Sequence, residues 1–315
     1  MKTIRINACD FWPDFDIKEH FFGVLLSKYY NLEISDDPDY VFCSVFSRDF
    51  LRYDNAVRIF YTGECQSPDF NLYDYAIGFD YLSYGDRYLR YPLCILDDDR
   101  IDTAVSRGGV CVPDDISKKE GFCSFVYSNS ESDPMRKTLF ERLSRYKKVS
   151  AGGKYLNNNG NSVDSKIDFE KKHKFSIACE NYSFPGYTTE KIMDSFSAGT
   201  IPIYWGDPRI GEVFNTDSFV NVMDFPSVEE AVAYVEALDQ DEAEYLRVRN
   251  SPIFIDQDYK MKMQDSMVHY LRNIFEQDKE DALRRNKGCW GRKYEKMQDR
   301  TQSTIFSKMM NLVGR

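Results

Sequence analysis

The sequence predicts an α/β protein made of two Rossmann-like, parallel-sheet domains that face a cleft. Three observations predict it. Short β-type runs alternate with helical patches through the first third. The rhythm breaks in a looser stretch, Asp97 to Glu120, and then restarts. Finally, 315 residues with 42% hydrophobic and 15% aromatic content supply cores for about two domains, which excludes disorder, collagen-like repeats and coiled coil as the main architecture.

Taken in order, Ile4–Ala8 reads as a strand, Ile17–Tyr29 as a helix and Tyr40–Val45 as a strand. Val57–Tyr61 and Tyr75–Phe79 are two further strands, separated by loops rich in Asp, Pro, Gly and Asn. The loose stretch holds Arg107-Gly108-Gly109 and Val112-Pro113-Asp114-Asp115, and the domain boundary is placed there. Beyond it come strand Phe122–Tyr127 and helix Pro134–Tyr146, whose leading Pro has no N–H to waste. Strand Lys174–Cys179, helix Thr189–Ala198 closed by Gly199, and strand Ile201–Tyr204 complete the second rhythm. The expected division is 1–115, 116–283 and a tail, 284–315.

A net charge of −10 argues against nucleic acid as a bulk partner. The charge is uneven. Nine Lys/Arg stand against Glu295 and Asp299 in the tail, a net +7, which leaves −17 on residues 1–283. Ile305, Phe306, Met309, Met310, Leu312 and Val313 fall at helical spacing, so the tail end can form a basic amphipathic helix. Two readings stay open for it: contact with an anionic membrane surface, or packing back onto the acidic body. Eight scattered Cys without a CxxC, and a start that lacks a signal-type apolar run, favour reduced thiols and a cytoplasmic location, peripheral to the membrane if the tail binds it. Three His, none spaced as a metal pair, give no zinc site and no Ser-His-Asp triad.

The chemistry concentrates in residues 175–206, a strand, loop, helix start, helix and strand. Glu180 and Asn181 end the first strand and are expected to point into the cleft. Thr188 or Thr189 can cap the helix, leaving N–H groups and a positive dipole end for a diphosphate. Lys191 adds a full charge in the first turn, and Glu190 suits sugar hydroxyls. Each has a plainer explanation: Glu190 as a first-turn acid that complements the dipole, Asn181 as a strand-end cap, Tyr187 as turn packing.

Three motifs resemble the bacterial α1,3/4-fucosyltransferases of glycosyltransferase family 10, most closely the Helicobacter type. The first is Glu180-Asn181 with Tyr187-x-Thr189-Glu190-Lys191-Ile192 and Ile201-Pro202-Ile203-Tyr204-Trp205-Gly206. The second runs from Phe60-Tyr61-Thr62-Gly63-Glu64 through Asp80 to Asp86-Arg87-Tyr88-Leu89-Arg90. Ser124-Phe125-Val126-x-Ser128-Asn129 is the third. Together they cover roughly residues 57–93 and 121–225. The resemblance implies the two-domain glycosyltransferase-B fold and GDP-fucose as donor substrate. It requires no metal cofactor, with Mn²⁺ or Mg²⁺ at most a stimulant. The acceptor it implies is neutral, the GlcNAc or Glc of a β-galactosyl disaccharide, giving a Lewis x-type product; α1,4 or dual linkage is the alternative.

The resemblance further implies inversion at the fucose carbon, with Glu64 as the general base that takes the acceptor's proton. Glu190 would position the donor and stabilise the sugar cation. Lys191 and the helix end meet the diphosphate, and Lys154 after Gly152-Gly153 is the second cation, substituting from a shifted position for the family's phosphate-binding Arg, where this sequence has Leu156. Arg136, Ser128, Asn129, Glu180, Asn181, Tyr187 and Thr189 complete the expected donor contacts. Cys65 replaces the Asn that follows the family's Gly-Glu, and no heptad repeat precedes the basic end.

Two rival readings remain. Asp97-Asp98-Asp99 after an apolar run resembles the metal-binding carboxylates of the other large glycosyltransferase fold. The many Tyr and Trp would also suit a non-catalytic glycan-binding protein.

Overall fold

The computed structural model describes residues 1–303. Contacts divide the chain into two compact units, each built on a parallel sheet.

The first sheet holds β1 (Thr3–Cys9), β2 (Asn31–Ile34), β3 (Tyr40–Cys43), β4 (Val57–Tyr61), β5 (Tyr75–Gly78) and β6 (Tyr88–Arg90), in the order β2-β1-β3-β4-β5-β6. Every pairing is parallel, so all strand C-termini lie along one edge. β3 and β4 are buried at every residue, as expected for central strands covered on both faces. The helix expected over 17–29 shortens to α1 (Phe21–Ser27), because Glu19 and His20 donate their N–H groups to the Asp16 carbonyl in a separate turn. β2 had no counterpart in the sequence reading: its Asn-Leu-Glu-Ile is four residues long and lies on the sheet edge, largely exposed.

The second unit contains α2 (Asp98–Ser106), α3 (Pro113–Ser117), β7 (Gly121–Phe125), α4 (Met135–Tyr146), β8 (Val149–Ala151), α5 (Lys166–Glu170), β9 (His173–Cys179), α6 (Glu190–Ser197), β10 (Ile201–Trp205), β11 (Val220–Asn221), α7 (Val228–Gln240) and α8 (Glu242–Asn250). Its strands run in the order β11-β10-β9-β7-β8, again all parallel. Phe125, Leu139, Leu143, Phe175, Ile177, Ile203, Val235 and Tyr245 form its core. α9 (Tyr259–Glu276), α10 (Lys279–Ala282) and α11 (Cys289–Ser303) follow.

The boundaries differ from those expected at 115/116 and 283/284. The first unit takes residues 1–78, 82–91 and the described residues from Gln264 on, and the second takes 79–81 and 92–263. The stretch 97–120, where the boundary was expected, lies inside the second unit. It folds as α2 and α3, and α2 docks on α6, where Ser197 Oγ donates to the Arg100 carbonyl at 3.2 Å and Arg100 pairs with Asp194 at 3.2 Å. Asp97, the first acid of the metal-type rival, instead caps α2 by accepting the Arg100 N–H at 3.0 Å, and Asp98 and Asp99 sit in the first turn.

The chain's return to the first unit is held by buried polar groups. The Tyr270 hydroxyl meets the backbone of Ala76 and Arg87. Asp74, fully buried, accepts the N–H groups of Arg58, Arg284 and Arg285 and the Arg285 guanidinium. Arg284 pairs with Asp86 at 2.8 Å, and Lys287 and Arg292 pair with Asp54. Tyr294 of α11 reaches Asp69 at 2.7 Å. This described part of the basic tail packs onto the acidic body. The amphipathic run from Ile305 to Val313 lies outside the described residues.

Candidate functional site

In the second unit the sequence-predicted residues gather along the C-terminal edge of the sheet, where loops leave β7, β8, β9 and β10. Glu180, the first residue past β9, is fully buried. Its side chain does not project into open space, as the sequence suggested. Instead one oxygen accepts the Thr189 N–H and the other the Thr189 hydroxyl, both at 2.7 Å, and Lys191 Nζ stands 3.2 Å away. Burying a carboxylate is costly unless its lone pairs are met, and here they are. Gly206, after β10, makes room for this arrangement: a Cβ there would lie 2.5 Å from Glu180 Cγ.

Thr189 is the N-cap residue of α6, but its hydroxyl serves Glu180 and makes no side-chain cap. Lys191 is nearly buried and held between Glu180 and, at 3.4 Å, Glu190. Burial pulls its pKa down, the two carboxylates pull harder upward, and the net is above the ordinary lysine value. For Glu190 burial pushes upward, but Lys191, Lys166, its own backbone N–H and Arg100 outweigh it, so its carboxyl sits below the usual range. The start of α6 is therefore lined by the chain's own charges, with Glu190 half-buried and ionised.

Asn181 and Arg136 meet each other: the guanidinium donates to Asn181 Oδ1 at 2.7 Å and to the Cys179 and Asn129 carbonyls. Arg136 is buried and lies 4.0 Å over the Tyr127 ring. It was expected to touch phosphate, but its described contacts tie the loop after β7 to the end of β9. Ser128 and Asn129 are exposed, and Asn129 closes a turn onto Glu131. Lys154 is exposed just beyond β8 and has no ion pair among the described residues. A Cβ on Gly153 would lie 2.0 Å from the Tyr127 carbonyl oxygen, so this glycine brings the Lys154 loop down beside the loop of Ser128.

Tyr187 is buried with its ring edge-on to Phe79, centroids 5.1 Å apart. Its loop is fixed by Asp207, a residue that sequence reasoning missed. Asp207 is buried and accepts the N–H groups of Gly186 and Arg209 at 2.8 Å each, while its own N–H donates to the Tyr204 hydroxyl at 2.9 Å. The only sequence signal for it was a carboxylate directly after the strand-ending Trp205-Gly206. A second missed group lies against α6: Lys166 bridges Asp194 at 2.9 Å and Glu170 at 3.9 Å. Burial pushes the Glu170 carboxyl up to about 7, with Lys166 opposing and Asp194 reinforcing the rise.

In the first unit Glu64 lies three residues past β4 on an exposed turn, its N–H donating to Thr62 Oγ1 at 3.0 Å. Its carboxylate makes no ion pair among the described residues. No group of three or more His, Cys, Asp or Glu suited to a metal stands together among the described residues.

Two parallel α/β units with polar loops at their strand ends define a class, the two-domain glycosyltransferases of the B fold. The particular family is then fixed by sequence. Residues 6–97 match the α-(1,3)-fucosyltransferase FucT N-terminal domain, and residues 116–281 match the glycosyltransferase family 10 (fucosyltransferase) C-terminal domain. The chain belongs to glycosyltransferase family 10. It is 38% identical over 284 residues to the α-(1,3)-fucosyltransferase FucT of Helicobacter pylori, covering 77% of this chain and 59% of that protein. It is 30% identical over 138 residues to the α-(1,3)-fucosyltransferase 4 of Bos taurus, covering 41% of this chain and 33% of that one. The chain thus spans about three fifths or less of these relatives. A crystal structure of an α1,3-fucosyltransferase superposes with a TM-score of 0.77 at 31% identity, and one with GDP-fucose with 0.75 at 30%, each over 88% of this chain and 91% of that one.

Proposed function

We propose that this protein is an inverting α1,3-fucosyltransferase. It moves L-fucose from GDP-β-L-fucose to the GlcNAc or Glc of a β-galactosyl disaccharide and gives a Lewis x-type product. The observation that carries the reading is the likeness, over 88% of the chain, to an α1,3-fucosyltransferase structure holding GDP-fucose. The residues fit the chemistry it requires.

In the proposed step the acceptor oxygen forms a bond to the fucose C1 as the bond from C1 to the phosphate oxygen breaks. The acceptor's proton passes to the Glu64 carboxylate, and GDP departs with the bonding pair. Lys154 and Lys191 offset the charge gathering on the diphosphate, and the ionised Glu190 faces the developing sugar cation. Glu180 acts through others: it orders Thr189 and Lys191. Ser128, Asn129, Asn181 and Tyr187 shape the donor side, and Arg136 supports it from behind.

Incubating the protein with GDP-fucose and each of the two lactosamine isomers, followed by NMR of the product, tests this. We expect α1,3-linked fucose on Galβ1,4GlcNAc. A β-linked product would refute inversion, and transfer only to the 4-hydroxyl of Galβ1,3GlcNAc would refute the linkage. We also propose that the basic C-terminal tail, residues 284–315, brings the protein to an anionic membrane surface from the cytoplasmic side. Co-sedimentation with phosphatidylserine vesicles checks this, and equal recovery with neutral vesicles would sink it.

A further inference from the structure

The loop leaving β1 carries an aromatic cluster that stays outside the core. Phe11 and Phe15 stack with centroids 3.9 Å apart and planes 10° from parallel. Trp12 stands edge-on to both, at 5.7 and 5.0 Å, and His20 closes the group 5.0 Å from Phe15 and 6.2 Å from Trp12. Trp12 is nevertheless 48% exposed. A single exposed aromatic is ordinary; one held by three neighbouring rings is a surface built in advance.

The backbone is bent to hold it there. Asp10 and Asp14, on either side of Phe11-Trp12-Pro13, both adopt positive φ, 64° and 65°. Such strain in non-glycine residues collects at ligand-binding loops. Asp10 pins the loop. Its buried carboxylate accepts the N–H groups of Asp49 at 2.6 Å and Phe50 at 3.1 Å as well as the Ser47 hydroxyl, and its carbonyl accepts the Phe46 N–H at 2.9 Å. Phe46, just past β3, is itself 55% exposed.

β1, β3 and β4 are neighbours in the sheet, so Trp12, Phe46 and Glu64 all leave from one edge. The loops of Trp12 and Glu64 are two strand spacings apart, about 10 Å. Rings link them: His20 lies 6.1 Å from Tyr61, the last residue of β4. The exposed charges around it are Asp14, Asp16, Lys18 and Glu19, acidic on balance, and burial keeps the His20 imidazole neutral by lowering its pKa to about 4. An anionic ligand meets a net negative surface here, with Lys18 outnumbered by three carboxylates. A neutral molecule with an apolar face does find a partner.

We propose that Phe11, Trp12 and Phe15 form a platform for the apolar face of a neutral pyranose, the sugar next to the one whose hydroxyl Glu64 deprotonates. The platform is thus a specificity element for a disaccharide acceptor. This rests on the fucosyl-transfer reading for Glu64, and the test separates the two. The full chain and its Trp12→Ala and Trp12→Phe variants are titrated with N-acetyllactosamine without donor. Tryptophan fluorescence and saturation-transfer NMR follow binding, and GDP affinity is measured by calorimetry.

The expected result is a roughly tenfold weaker lactosamine affinity in Trp12→Ala, largely restored in Trp12→Phe, with GDP affinity unchanged. Saturation should concentrate on one face of one sugar ring. Unchanged lactosamine affinity in Trp12→Ala, an equal loss of GDP affinity, or no lactosamine binding by the parent chain would each overturn the platform. If lactosamine binds through Trp12 but no fucose is transferred, the platform stands and the catalytic reading falls. Normal transfer with Trp12→Ala behaving as the parent gives the reverse.

Discussion

Two glutamates follow strand ends in the two sheets, and their surroundings are opposite. Glu180, past β9, is fully buried and spends its oxygens on Thr189 and Lys191. Glu64, past β4, is exposed and makes no ion pair among the described residues. A carboxylate in a closed network cannot take a substrate proton without leaving a buried cation unmatched. One left in the open can. The comparison assigns Glu180 to architecture and leaves Glu64 available for chemistry.

The contrast breaks most sharply at Glu64. Glu64→Ala should lower turnover about 10²–10⁴-fold, the span of general base catalysis, while GDP affinity and the denaturation midpoint hold. Normal turnover would remove Glu64 as the base. Glu180→Ala should instead cost about 3–5 kcal/mol of folding stability in urea titration, because Lys191 loses its buried partner. Adding Lys191→Met should recover part of that loss, and strict additivity of the two changes would show that they do not form one unit.

A smaller effect sharpens the same rule from a third carboxylate. Glu170 is 1% exposed, and its one nearby cation, Lys166, is 3.9 Å away. Burial raises its pKa from 4.5 to about 7 in the fold. A group raised in the folded state contributes stability that is complete below the unfolded value and is lost as pH rises through the folded one. Stability should therefore fall by up to about 3 kcal/mol between pH 4.5 and 7 on this account. Glu170→Gln should flatten that fall; an unchanged pH profile would rule the account out.

Much of this was legible in the sequence where local signals were strong. Val57–Tyr61 was read to the residue, because a strand buried on both faces is mostly apolar, interrupted here by Arg58, and bounded by turns. The α6 segment was read within one residue at each end, through Thr189 before it and Gly199 after it. Edge strand β2 is four largely exposed residues, and its single alternation of Leu32 and Ile34 was too short to read as a strand. α2 was passed over inside the loose stretch 97–120, where the domain boundary was placed, although Asp97, Asp98 and Asp99 are its cap and first turn. At the site, the residues were named but not their partners. That Glu180 would claim Thr189 and Lys191, or Arg136 claim Asn181, depends on side chains meeting from different loops.

By itself the sequence determined the alternation of strands and helices, the family, and which residue types gather at the strand ends. These follow from periodicity, capping and motif spacing, all of which act over a few residues. Only the tertiary structure decided that the described residues from Gln264 on return to the first sheet, that Asp74 is the buried anchor for that return, and that one motif glutamate is sealed while another stays open. The physical reason is desolvation. Whether a charge must find partners depends on how much water the fold takes from it, and that is fixed by contacts between segments far apart in the chain.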